Sequence, residues 1–321
     1  MARRLTLSIP FLGRPSRQTN RASAEDEAFA VSADVARRVR DIEVRTRRLA
    51  TSMVAGEYRS IFRGSGIEFA EAREYVPGDD VRFIDWNVTA RMSEPWVKEF
   101  VEERELTVVV AVDRSASSLV ARPRAGRMEA AAQLTALLGF AAAQNHDRTG
   151  LLTFSEGIDT FVAPRRGARH VLRLVRDVLS DDEPTGRTTN ITAAAEYLGR
   201  VLRRRSAVFI ASDFFDEGYE MALQALSRRH EVVALTLVDP LDLELPDLGL
   251  IEVEAAEQGQ RLLLDTSDRR VRERYAEAAR ERAEARRRAL TLAGVDEIEI
   301  RLDEDPITPL ARYFHRRAFQ S

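Results

Sequence analysis

The stretch Leu106 to Ser118, LTVVVAVDRSASS, constrains this chain more than any other. Its apolar run is rich in β-branched Val and Thr, too short to span a membrane, and bounded by charge on both sides. Such a run reads as a strand buried on both faces, as in a parallel sheet covered by helices. It ends in Asp113, with Ser115 and Ser117 at two and four residues beyond. These three side chains then sit on the loop leaving the strand's carboxyl end, the edge where open α/β sheets bind ligands.

The rest of the chain repeats the alternation. A helix is expected over Arg127 to Gln144, strands at Arg148–Ser155 and Ile158–Pro164 around a Glu156-Gly157 turn, and an amphipathic helix at Ala168–Leu179. A polar loop, Thr185 to Asn190, precedes a helix at Ile191–Arg203. AVFIASD (207–213) and VVALTLVD (232–239) are further apolar strands ending in aspartate, with a helix at Tyr219–Arg229 between them. Strands alternating with helices of this length specify an α/β, doubly wound, mostly parallel sheet with right-handed crossovers. Beyond it, Leu250–Ala255 and Arg261–Asp265 are expected to pair as a hairpin. A long mixed-charge helix over Asp268–Leu292, an alternating edge strand at Glu297–Leu302 and a short helix at Pro309–Phe319 then follow.

The segments before Leu106 have another character. Residues 1–31 mix Arg, Ser, Pro and Gly without periodicity and read as a disordered tail. Ser32 offers an N-cap to a helix carrying Val35, Val39, Ile42, Val44 and Leu49. Residues 56–100 are dense in interleaved charge and aromatic residues, with a turn at Pro77-Gly78. The division expected is a tail (1–31), an N-terminal helical and irregular extension packing on the main domain (32–105), and the main domain with a C-terminal extension (106–321). Within the extension, Glu68, Glu71, Arg73, Asp79, Asp80, Arg82, Asp85 and Arg91 are expected to pair in a network against the main domain, and Trp86 and Tyr75 to be core anchors.

A net charge of -3 argues against a dedicated nucleic-acid binder. The arginine-rich helix alternates charge at helical spacing and reads as a solvated face. No cysteine is present, which removes disulfides, thiolate metal sites and thiol nucleophiles. No stretch reaches the length of a membrane-spanning helix, and the N-terminal MARRLTLSIPFLG lacks a cleavage site after its apolar run, so a cytoplasmic protein is expected. Gly64-Ser65-Gly66 follows no strand and lacks the third glycine of a dinucleotide loop; no Walker A lysine, HExxH or GxSxG occurs.

What remains is oxygen. Asp113, Ser115 and Ser117 lie at one strand end, Thr189 where a polar loop enters a helix, and Asp213 at the end of AVFIASD. All three loops fall at the carboxyl edge of one sheet. Two carboxylates and three hydroxyls suit a hard cation, Mg²⁺ above all, with Mn²⁺ or Ca²⁺ as substitutes. A cation held largely by neutral hydroxyls stays electron-poor and attracts an outside carboxylate. The plainer alternative is turn and cap chemistry: DxSxS as an Asx turn, Thr189 and Asn190 as helix caps.

DRSASS, TTN and ASD, in that order, resemble the metal-ion-dependent adhesion site of von Willebrand factor A-like domains. The upstream GEYRSIFRGSGIEFAEAREYVPGDDVRFIDWNVTARM resembles the hallmark of the bacterial domain-of-unknown-function 58 family. The resemblance covers about residues 50–240. It implies a von Willebrand A-like, Rossmann-like fold, Mg²⁺ at Asp113, Ser115, Ser117, Thr189 and Asp213, and a non-enzymatic protein-interaction role. It also implies a link to MoxR-type AAA+ ATPases in the assembly, maturation or metal loading of client proteins. Many such relatives carry N-terminal membrane helices, a feature with no counterpart here. The rival reading is a metal-dependent, phosphatase-like hydrolase with Asp113 as nucleophile. Such enzymes place a second aspartate two residues on as acid/base, where this chain has Ser115.

Overall fold

The computed structural model describes residues 34–47, 49–50, 68–92, 94–101, 105–115, 126–180, 188–254 and 261–318. The expected N-terminal tail, the Gly64-Ser65-Gly66 triplet and Ser117 lie outside the described residues.

The apolar run after Leu106 is a central strand. β3 (Thr107–Asp113) lies between β4 (Arg148–Phe154) and β6 (Ala207–Ser212), parallel to both. With β5 (Ile158–Arg165), β7 (Glu231–Val238) and β10 (Asp296–Arg301) they form a 6-stranded sheet in the order β10-β7-β6-β3-β4-β5. Only β5, returning from β4 by a tight turn, runs antiparallel. Val108 to Val112 are all 0% exposed, as a strand covered on both faces requires.

Side-chain alternation divides the core in two. On one face Val108, Val110 and Val112 pack with Phe209 and Ala211 under α2 (Arg127–Gln144) and α3 (Ala168–Leu179). On the other, Val109 and Ala111 pack with Val208 and Ile210 under α4 (Ile191–Val201) and α5 (Glu220–Ser227). α2 is buried around almost its whole circumference because its Ala, Leu and Gly residues offer no polar face. A Cβ on Gly139 would stand 2.6 Å from Val171 Cγ1 of α3. Gly139→Ala therefore forces the two helices apart. We expect a loss of about 1–3 kcal/mol in denaturant unfolding despite alanine's better helix propensity.

Helical backbone over 34–47 and 49–50, here α1, joins the α2–α3 side of the core through Val35, Ile42 and Ala50. Arg38 reinforces it with hydrogen bonds of 2.9 and 3.1 Å to Glu129 of α2. Val44 and Leu49, expected on the buried stripe, are 65% and 42% exposed. The stripe instead runs through positions 35, 39, 42, 46 and 50, with Thr46 buried and bonded to the Ile42 carbonyl, and Val44 lies off it.

β1 (Glu68–Glu74) and β2 (Trp96–Val101) form a separate antiparallel pair. Between them Gly78 turns at φ 116°, a conformation that suits glycine. Two ion pairs of this segment are local: Arg73 grips Asp79 at 2.7 and 2.8 Å, and Arg82 grips Asp80. The Glu68 and Glu71 side chains of the expected network lie outside the described residues. One expectation fails here. Trp86 is 70% exposed rather than a core anchor. Asp85 accepts bonds from the Asn87 and Val88 amides, which starts a one-turn helix at Trp86 and leaves that ring at its outer, first position. Tyr75 is half-buried.

The C-terminal part follows its pattern. β8 (Leu250–Glu254) and β9 (Arg261–Asp265) pair antiparallel, α6 (Arg269–Leu292) is the long charged helix, and β10 forms the parallel edge beside α7 (Ile307–Ala318). Among the described residues no helix is long and apolar enough to cross a membrane.

His230, just before β7, is 3% exposed and, among the described residues, neither ring nitrogen has a hydrogen-bond partner. Burial, then the Arg229 and Arg205 charges, hold its pKa below the usual value. The folded protein thus binds this proton less readily than the unfolded chain. Its contribution to stability is complete above about pH 6.5 and is lost as pH falls below that. His230→Leu should flatten the fall in stability between pH 7 and pH 5, read by denaturant midpoints across that range.

Candidate cation site at the carboxyl edge of the sheet

Strand register brings the site together. Val112 of β3 aligns with Ala211 of β6, so Asp113 and Ser212 stand side by side on the α4–α5 face. Ser212 Oγ donates to Asp113 Oδ2 at 2.7 Å, and the Ser115 amide donates to Asp113 Oδ1 at 2.9 Å. Thr189 Oγ1 lies 3.1 Å from Asp113 Oδ2 and 2.9 Å from Ser115 Oγ. One hydroxyl proton serves one acceptor at a time, so Ser115 and Thr189 share a switchable bond beside the carboxylate. Asp113, Ser115 and Ser212 are 0–1% exposed and Thr189 8%.

The alternative of turns and caps holds only in part. Asp113 does form the Asx turn with one oxygen, while its other oxygen faces the two hydroxyls. The cap of α4 is Asn190, whose side chain accepts from the Ala193 amide at 2.8 Å. Thr189 is therefore free of cap duty and turns inward. Asp216 holds the helix start by accepting from the Ile191 amide at 2.8 Å.

Asp213 belongs to the same rim but looks the other way. One residue past Ser212, alternation sends it toward the α2 side. There Oδ2 lies 3.0 Å from Arg127, the first residue of α2. That guanidinium, 4% exposed, also pairs with Asp242 beyond β7. Asp213 Oδ1 accepts from the Phe215 amide at 3.1 Å and Ser212 Oγ from the Phe214 amide at 3.1 Å. These bonds hold Phe214 at φ 57°, a left-handed conformation that is costly for an aromatic residue. Asp213 Oδ2 is buried and makes no hydrogen bond, its contact with Arg127 being poorly aligned for one.

Burial first, and the Asp213 charge second, push the Asp113 carboxyl up to about 6. An ionised Asp113 is thus disfavoured by burial and by the Asp213 charge, while Arg127 offsets the charge on Asp213 itself. Among the described residues no three His, Cys, Asp or Glu side chains converge to hold a metal, so any ion here depends on hydroxyls. The donors present fit a hard divalent cation. Of the five side chains expected at this site, Asp113, Ser115 and Thr189 are in direct contact. Asp213 is coupled to Asp113 through its charge, and Ser117 lies outside the described residues. The sequence reading missed Ser212 and Arg127. Ser212 was legible, since register places it beside Asp113; Arg127 gave no signal beyond opening α2.

Fold and rim together define a doubly wound α/β protein with a polar cluster at the carboxyl edge of its sheet. The family model described as "Protein of unknown function DUF58" matches residues 71–285, and the chain belongs to that family. "Uncharacterized protein Rv1480" of Mycobacterium tuberculosis is 30% identical over 282 residues, 87% of this chain and 88% of that protein. "Uncharacterized protein MAV169" of Mycobacterium avium is 32% identical over 157 residues, 48% of this chain and 92% of that protein. Among solved structures, the conserved hypothetical protein BatB from Bacteroides thetaiotaomicron is similar at 17% identity with a TM-score of 0.42, covering 67% of this chain and 100% of that one.

Proposed function

We propose that this protein is a cation-dependent interaction module. Asp113, Ser115, Ser117 and Thr189 would hold Mg²⁺, with Asp213 acting through water, and an acidic residue of a protein partner would complete the coordination. The observation that carries this reading is the hydroxyl-rich shell around a buried, charge-strained Asp113. A bound divalent cation would supply a Lewis-acidic position open to an outside carboxylate oxygen. Ser115 and Thr189 would offer their hydroxyls to it, Ser212 fixes the Asp113 carboxylate, and Arg127 keeps Asp213 turned aside. Because those hydroxyls are neutral, they would leave a bound cation with most of its charge, available to an outside carboxylate.

The partner class we assign is a MoxR-type AAA+ ATPase acting on client proteins, on the family resemblance of the segment around REYVPGDDVRFIDW. A purified ATPase of that type from the same genome should bind the wild-type chain in Mg²⁺. It should lose at least tenfold in affinity with chelator or with Asp113→Ala. Equal binding under all three conditions would refute the proposal, as would Asp113-dependent turnover of phosphate esters.

A further inference from the structure

On the rim near the candidate cation site stands a guanidinium with no carboxylate partner among the described residues. Arg282 projects from α6 with its Cζ 5.8 Å from the Phe215 ring centre and 5.9 Å from that of Tyr275. The Phe215 amide bonds Asp213, and the Tyr275 hydroxyl donates to the Leu241 carbonyl at 2.8 Å. Arg127, on the far end of the same chain of contacts, lies 5.9 Å from the Phe215 centre while pairing with Asp213. One phenyl ring thus links the cation rim to Arg282, and that ring is itself 41% exposed.

Sequence shows why Arg282 is available. Every other arginine of α6 except Arg286 has a carboxylate three or four positions away, the spacing at which helical side chains meet. Around Arg282 those positions are Ala278, Ala279, Ala285 and Arg286. Arg286 is buried and bonds Glu297 at 2.7 Å, whereas Arg282 is exposed and, among the described residues, forms no ion pair. A planar guanidinium resting on aromatic faces has already lost much of its rotamer freedom, so it binds a carboxylate at lower entropic cost than a mobile surface arginine.

We infer that Arg282 takes a second carboxylate from the same partner segment whose first carboxylate reaches the cation, so that the module reads a pair of acidic residues. This rests on the cation-dependent reading above. Two fixed contact points set one span that the partner segment must bridge, at about 3.3–3.6 Å per residue of extended chain. The rim therefore selects spacing as well as charge.

The test uses the full chain and fluorescent peptides carrying two aspartates separated by one to five alanines, each beside a control with the second aspartate changed to asparagine. In Mg²⁺, one spacing should bind about tenfold tighter than its control. Arg282→Gln, an exposed change checked for folding by circular dichroism, should erase that preference, and Arg282→Lys should restore part of it. The inference is overturned by Mg²⁺-dependent binding with no preference at any spacing, by a preference that survives Arg282→Gln, or by no peptide binding at all. Should chelator leave single-aspartate binding unchanged, the cation reading fails by itself, and the Arg282→Gln comparison still reports on the second contact.

Discussion

Arg127→Leu should be the most damaging single change outside the hydrocarbon core, lowering stability by about 3–5 kcal/mol at neutral pH, as expected when one partner of a buried ion pair is removed. Arg127 is 4% exposed and answers two acids, Asp213 and Asp242, from opposite sides. Without it Asp213 stays buried and Asp242 half-buried, each having lost its cation. The deficit should shrink as pH falls. Burial already raises the Asp242 pKa, and Arg127 is the main influence pulling it down. In the variant the folded state would hold that proton still more strongly than the unfolded chain, so acid favours folding. Denaturant unfolding at pH 7.5 and pH 5.5 reads both effects. A loss under 1 kcal/mol, or one that grows toward pH 5.5, would contradict this account of the pair.

The second large effect is stabilisation by metal. A ligand bound only to the folded state at about 100 times its Kd adds roughly 2.7 kcal/mol. For a domain of this size, each kcal/mol raises Tm by about 2–4 °C. Saturating Mg²⁺ should then raise the midpoint by about 5–10 °C, and Asp113→Ala should show no rise. The reason is geometric: Asp113 is the one side chain touching Ser115, Thr189 and Ser212 together, so its loss dissolves the shell. A gain in Tm that persists in the variant would place any metal effect elsewhere.

The doubly wound sheet was legible because its strands are apolar runs cut by polar turns, and because three of them end in aspartate at the same edge. Contact among Asp113, Ser115 and Thr189 followed from that topology. The orientation of Asp213 did not. It depends on a single step of alternation past the end of β6, which presents Ser212 to Asp113 and turns Asp213 to Arg127. Trp86 was misread for a related reason. An aromatic residue within a charged segment suggests an anchor, but the Asp85 cap sets its position, and nothing in composition announces a cap at a helix of one turn. Where a strand ends decided the first case and a local hydrogen-bonded cap the second, and hydrophobic periodicity carries no information about either.

The most direct measurement is a calorimetric titration of Mg²⁺ into the full chain, repeated with Ser115→Ala and Thr189→Val. One equivalent bound by the wild type, weakened at least tenfold in each variant, is the result predicted by a shared hydroxyl shell. No binding by the wild type, or equal binding by all three, would mean that these side chains hold no ion and that partner capture through a cation at this edge is wrong.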